Sequence, residues 1–195
     1  MGLAVRRVVE AEMLRLLGEL AELRIRVFAD YPYLYDGDLV YEADYLREYA
    51  AAPGAVLVAA MDGDRVVGAA TAAPMMHQKA EFRAPFEQRG LDATRLFYFG
   101  ESVLLPEYRG RGIGHAFFDH REGHARERGA SAACFAAVIR PGDHPGRPAD
   151  YSPLDAFWTR RGYSVMPGHV TELAWKEHGE AEESPKTMQY WLKQW

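Results

Sequence analysis

Residues 96–140 constrain this chain more than any other stretch. "LFYFGESVLL" (96–105) has the aromatic and apolar content of a strand. It runs straight into "PEYRGRGIGHAFFDH" (106–120), where three glycines and two arginines fall within the six positions 109–114. A helix is expected from about 112 to 128, ended by Gly129 as a C-cap. "ASAACFAAVIR" (130–140) then reads as a buried strand. Strand, turn, helix, strand is a βαβ unit, and such units hold their strands parallel.

The flanks add antiparallel elements. Residues 10–28 place Met13, Leu16, Leu17, Leu20, Leu23 and Val27 at helical spacing, and "YEADYLREYAAA" (41–52) reads as a second helix. Pro32 and Gly37 mark "DYPYLYDGD" as the loop between them. "AVLVAAMDGDRVVGAATAAPM" is strand, Asp-Gly turn and strand. Residues 77–95 are irregular, with short helical stretches around Pro85 to Arg89. After the proline-rich loop 141–153 come a short helix (153–163) and two strands (169–177 and 187–195). Hairpins around one βαβ predict a mixed α/β sheet with helices on both faces. The length of 195 residues predicts a single domain over 1–195.

Three glycines on one turn cost backbone entropy, so the turn calls for a reason beyond stability. The first N–H groups of the following helix have no intrahelical partner and point outward with the positive end of the helix dipole. That arrangement binds phosphate. Gly110, Gly112 and Gly114 let a bulky anion reach the backbone, and Arg109 and Arg111 supply charge and donors. Arg121, Arg126 and Arg128 with His115, His120 and His124 extend the basic cluster, a local anion site in a protein of net charge -5. A dinucleotide fingerprint would need glycine where His115 or Phe117 stands, and no G-x-x-x-x-G-K-[ST] loop is present.

"YRGRGIG" resembles the acyl-CoA signature of the GNAT superfamily of N-acetyltransferases, R/Q-x-x-G-x-G/A, with Arg109, Gly112 and Gly114 at the matching positions. "AFWTRRGY" is similar to the family's A-x-x-F-Y-x-x-x-G-F/Y segment. The resemblance implies a mostly antiparallel central sheet of about seven strands with a splayed central pair, and helices on both faces. It implies acetyl-CoA as co-substrate: Arg109, Gly110, Arg111, Gly112, Ile113, Gly114 and His115 would hold its pyrophosphate. Backbone groups of Ser102, Val103 and Leu104 would pair with the pantetheine arm and acetyl carbonyl, much as a peptide joins a sheet edge. The acceptor would be a primary amine of a small molecule or a protein.

Acetyl transfer to an amine needs a base for the ammonium proton, a donor for the oxyanion and a route for the leaving thiolate. Glu101 is the expected base, since a carboxylate inside an aromatic strand should have a raised pKa; its alternative is a structural ion pair with an arginine. The Leu104 N–H is the expected oxyanion donor. The family's usual tyrosine is replaced by Trp158, which cannot protonate a thiolate. Tyr151 is the better substitute acid, ahead of Tyr163. The resemblance places Tyr31, Tyr33 and Tyr35, with Asp36 or Asp38, over the acceptor as a site for a cationic amine. Arg140 and His144 follow the second βαβ strand and could face the same acceptor.

Other chemistries are weaker. The single Cys134 sits among alanines and reads as a small buried hydrophobe. His120 and His124 lie four apart but on a packing stripe, so no metal is expected. The acidic balance argues against nucleic-acid and membrane partners. No apolar run is long enough to span a bilayer, and no signal peptide is recognisable, so a cytoplasmic location is expected. Exposed C-terminal strands could pair in a homodimer. A binding module that senses acyl-CoA without turnover is the alternative reading.

Overall fold

The computed structural model describes residues 2–195. In chain order the elements are β1 (Leu3–Val8), α1 (Glu10–Arg15), α2 (Leu17–Phe28), α3 (Leu39–Ala51), β2 (Val56–Asp62), β3 (Arg65–Pro74), α4 (Ala80–Glu87), β4 (Leu96–Leu104), α5 (Ile113–Glu127), β5 (Ala132–Val138), α6 (Asp155–Arg160), β6 (Ser164–Trp175) and β7 (Ser184–Gln194). They build one seven-stranded sheet in the order β1-β2-β3-β4-β5-β7-β6. Only β4 and β5 run parallel; every other neighbouring pair is antiparallel.

Strand alternation sorts β4's side chains onto two faces. Phe97 and Phe99 meet α5, at 5.7 Å from His124 and 5.9 Å from Phe118. Tyr98 meets α4, 4.9 Å from Phe82. Gly100, of the same parity as Tyr98, faces Tyr45 of α3. So α5 and α6 cover one face, and α2, α3 and α4 the other. Aromatic pairs knit the first face: Phe118 contacts Phe135, Phe157 and Tyr163. Each such pair adds about 0.5–1.5 kcal/mol beyond its buried area.

The central parallel pair is short. Leu96, Phe97 and Tyr98 pair with Ala132, Ala133 and Cys134, and there the ladder stops. Beyond it β4 stays on β3 and β5 stays on β7, so the two strands splay and leave a gap. The cause is visible on the β3 side. The register shifts so that Gly100 and Glu101 together oppose Thr71, a bulge that bends β4. Glycine is required at position 100, because a Cβ there would lie 2.7 Å from Thr71 Oγ1.

Three elements differ from expectation. The expected helix over 10–28 is broken at Leu16, whose φ of -93° and ψ of 4° end α1 and start α2. The edge strand β1 has no counterpart in the hydrophobic pattern, because Arg6 and Arg7 interrupt it. Arg7 crosses to α5 and bonds Glu127 at 2.6 Å and the His120 carbonyl at 3.2 Å. β6 begins at Ser164 rather than 169, since its first residues pair with β7 ahead of a shift between Val165 and Val170.

Candidate active site

The glycine turn closes β4 and opens α5. Gly110 (φ 74°) and Gly112 (φ 81°) are left-handed, which only glycine adopts at little cost. The first intrahelical bond runs from Ala116 N–H to Gly112 O at 3.1 Å. The N–H groups of Ile113, Gly114 and His115 therefore lack helical partners, and no side chain caps them. Tyr108 anchors the turn by donating to Asp62 at 2.8 Å. Arg109 is exposed. Arg111 folds back over the Tyr108 ring and donates to Glu107 O at 2.9 Å.

The wider basic cluster does not gather here. A fifteen-residue helix is over 20 Å long, so its ends are far apart. Arg126 lies over Trp195, and Arg128 stands past the last turn near Gly54. Arg121 is buried beneath the bulge. Only Arg109 and Arg111 belong to the turn, which corrects the expectation of one extended anion site.

At the splay, Leu105 N–H donates to Val67 O at 3.0 Å and Val103 pairs with Ala69, both on β3. Two-residue alternation then turns the Ser102 and Leu104 N–H groups toward the gap. Of the three residues expected to offer backbone there, Val103 faces β3 instead. Arg121 reaches two carbonyls at the bulge: its Nη1 donates to Thr71 O at 3.3 Å and Glu101 O at 3.1 Å. Its Nη2 donates to Ser102 Oγ at 2.9 Å.

Glu101 is the other pole of the bulge. Its carboxylate lies 2.5 Å from Arg24 Nη1 and accepts from Tyr45 OH at 3.2 Å. Arg24 also pairs with Glu42 and lies over the rings of Tyr45 (4.5 Å) and Phe28 (5.2 Å). Burial works to lower the Arg24 pKa, but Glu101, Tyr45 and Glu42 outweigh it and hold the guanidinium above its ordinary value. Burial, then the Glu101 charge, pushes the Tyr45 phenol up.

The aromatic loop residues separate into two groups. Tyr31 meets Tyr151 edge-on at 4.7 Å and His144 at 5.6 Å. This joins the 29–36 turn to the 141–153 loop. Tyr33 packs inward on Phe28 and Trp175, and burial pushes its phenol up to about 12. Burial and then Glu42 raise the Tyr35 pKa. Burial and neighbouring Tyr31 raise that of Tyr151. Arg140 is engaged through Nε and Nη2: it donates to Pro32 O at 2.7 Å and Tyr33 O at 3.3 Å and is ion-paired with Glu177. It fastens the 30–36 turn to the end of β5.

Trp158 packs between Phe135 (4.9 Å) and Trp191 (5.1 Å). Tyr163 is buried, donating to Glu122 at 3.3 Å. Cys134 is buried and its thiol is pushed up by burial, which removes it as a nucleophile. His120 and His124 each direct Nε2 at a backbone carbonyl, Val5 O at 3.2 Å and Gly54 O at 2.9 Å. Among the described residues no group of three metal-ligating side chains is found, and no helix is long and apolar enough to cross a membrane.

Sequence reasoning missed Arg24, Glu42, Tyr45, Thr71 and Arg121. The arginines had a signal. Arg24 sits on the Leu20–Leu23–Val27 stripe of α2, and Arg121 on the Ile113–Phe117–Ala125 stripe of α5. An arginine on an apolar stripe must be satisfied inside.

A splayed parallel pair, a β4 bulge and a bare helix N-terminus define an acyltransferase architecture. The Acetyltransferase (GNAT) family matches residues 20–148, well over half the chain, and this protein belongs to that family. No curated protein matches its sequence. Solved structures share the fold at low identity. The ribosomal-protein-alanine N-acetyltransferase from Brucella melitensis is 16% identical with a TM-score of 0.62, covering 98% of this chain and 99% of that one. The yncA protein from Salmonella typhimurium, solved with its cofactor acetyl-CoA, is 12% identical with a TM-score of 0.63, covering 100% and 94%. The phosphinothricin acetyltransferase from Sinorhizobium meliloti, in complex with acetyl-CoA, is 20% identical with a TM-score of 0.59, covering 100% and 89%.

Proposed function

We propose that this protein is a single-domain N-acetyltransferase that moves the acetyl group of acetyl-CoA directly to a primary amine. The observation that supports it most is the conjunction of a bare α5 N-terminus with a gap into which Ser102 and Leu104 turn free N–H groups. The N–H groups of Ile113, Gly114 and His115, with Arg109 and Arg111, fit the coenzyme pyrophosphate. The amine nitrogen adds to the thioester carbon, and the carbonyl electron pair moves onto oxygen beside the Leu104 N–H. That pair returns as the C–S bond breaks, and coenzyme A leaves as thiolate.

Glu101 is the group we assign to the amine proton, through a water. Its ion pair with Arg24 and the hydrogen bond from Tyr45 fix the orientation of the carboxyl group at the bulge. We assign Tyr31 and Tyr151, whose rings meet edge to face, to the acceptor path, with Tyr33 supporting them. Tyr151 as acid would return a proton to the thiolate. Arg140 acts by holding the 30–36 turn, to which its Nε and Nη2 are bound. The acceptor is a small-molecule or protein amine; the Sinorhizobium meliloti neighbour is a phosphinothricin acetyltransferase and the Brucella melitensis one a ribosomal-protein-alanine N-acetyltransferase.

A second reading, an acyl-CoA-binding module without turnover, is favoured by Trp158, which packs into the core where the family's tyrosine would stand. Thiol release from acetyl-CoA across a panel of amines separates the two. We expect release with at least one amine, and a loss of about 100-fold in kcat for Glu101→Gln. Acetyl-CoA binding without thiol release would select the module. Gly112→Val, forced into a left-handed conformation, should abolish coenzyme binding in calorimetry.

A further inference from the structure

Arg121 is a buried charge that the mechanism above does not use. It is 1% exposed, and among the described residues it forms an ion pair with no carboxylate. Neutral oxygens satisfy it: Thr71 O, Glu101 O, Ser102 Oγ and, through Nε at 3.2 Å, Phe117 O. Its guanidinium lies over Phe99 (4.5 Å) and Phe118 (4.7 Å). Burying a cation without a counter-ion is costly, and packing alone would be served better by methionine or leucine.

Its contacts fall on the bulge. Thr71 O and Glu101 O stand on the two strands where the register shifts, and Arg121 donates to both, bridging β3 and β4 at the bulge. Without that bridge, the favourable alternative is to remove the bulge by sliding β4 one residue along β3. A one-residue slip reverses every group on the strand. The Ser102 and Leu104 N–H groups would then turn to β3, and the gap would lose its donors.

We infer that Arg121 is a positioning residue for acyl transfer: it pins the β4 bulge in the register that points the Ser102 and Leu104 N–H groups into the gap, and its unneutralised charge favours the negative charge that develops there. The inference rests on the acetyl-transfer reading. Arg121 neither gives nor takes a proton. It favours the oxyanion formed when the amine adds, and the thiolate released when the C–S bond breaks, by electrostatics alone. A cation in that place suits a site whose α6 carries Trp158 instead of a phenol. Burial lowers the Arg121 pKa to about 10, which leaves it charged at neutral pH.

The test uses the full chain, [1-13C]acetyl-CoA and the best amine of the panel. Three quantities are read: acetyl-CoA affinity, kcat, and the infrared stretch of the bound thioester carbonyl, which falls when the carbonyl is polarised. In the wild type the stretch should lie below its value in solution. Arg121→Met should lower kcat by about 100-fold, a larger loss than in acetyl-CoA affinity, and return the stretch toward the free value. Arg121→Lys keeps the charge but loses the fork, so it should fall between, about tenfold down in kcat. A wild-type kcat and carbonyl frequency in Arg121→Met would overturn the inference. If that variant does not fold, Arg121→Lys decides: full kcat with an unshifted stretch overturns it, and reduced kcat at unchanged acetyl-CoA KM supports it. Failure of the wild type to bind acetyl-CoA would show earlier, would defeat the coenzyme reading itself, and would take this inference with it.

Discussion

Arg24 and Arg121 reach the same residue from opposite faces of the sheet, and their surroundings are electrostatic opposites. Arg24, on α2, meets the Glu101 side chain and shares itself with Glu42, so one cation stands between two carboxylates. Arg121, on α5, meets the Glu101 backbone and only neutral oxygens and rings. The neighbours of Arg24 overcome its burial and raise its pKa, whereas burial dominates for Arg121 and lowers it to about 10. Identical side chains at similar depth thus do different work. Arg24 neutralises and orients a carboxylate, and Arg121 holds backbone in place and leaves its charge unspent. The bulge at Gly100 and Glu101 lies between them, clamped from both sides.

The comparison is most exposed at Arg24. Arg24→Met strands two buried carboxylates and should cost about 3–5 kcal/mol in urea unfolding. Adding Glu42→Gln should recover part of that loss, and strict additivity of the two changes would show that they do not share one charge balance. A smaller effect is expected at the bulge itself. Gly100→Ala should cost about 1–3 kcal/mol through its clash with Thr71 Oγ1, and Thr71→Ala in the same chain should relieve it. A clash that Thr71→Ala leaves unrelieved would mean that the bulge is set elsewhere.

The smallest effect is a difference in pH dependence. Arg121 gives up its proton near pH 10 in the folded chain but only at higher pH when unfolded, so between those values the unfolded state holds more protons. Stability from this group then rises with pH, by on the order of 1 kcal/mol per unit at most. The deficit of Arg121→Met relative to wild type should therefore widen from pH 10 upward. Arg24 has the opposite shift, and its contribution is lost only as pH climbs through a folded pKa above the ordinary one. The deficit of Arg24→Met should stay level over the same window. Parallel curves for the two variants would erase the distinction drawn here.

Much of the fold was legible because its signals are local. The Asp62–Gly63 turn announced the β2–β3 hairpin, and Gly129 ended α5 where expected. The glycine turn was legible for the same reason: positive φ at Gly110 and Gly112 and an open helix start are properties of consecutive residues. Strand β1 was not, because Arg6 and Arg7 hide its period, and its partner β2 lies some fifty residues on. The bulge was not, because it is a relation between β3 and β4. The partners of Arg140, expected from the sequence to face the acceptor, were not legible either, because Pro32, Tyr33 and Glu177 lie far from it along the chain.

The order of residues alone decided that a strand would enter a glycine turn and leave it as a helix with bare N–H groups, since backbone conformation there depends on adjacent side chains being absent. It also decided the family, which the match over residues 20–148 shows. Only the folded chain decided what surrounds Glu101. Arg24, Glu42, Tyr45, Thr71 and Arg121 come from α2, α3, β3 and α5, and they meet at one bulge because the sheet and its two helical layers bring them there. Charge balance in a buried site is set by distances through space, and no spacing along the chain encodes those distances.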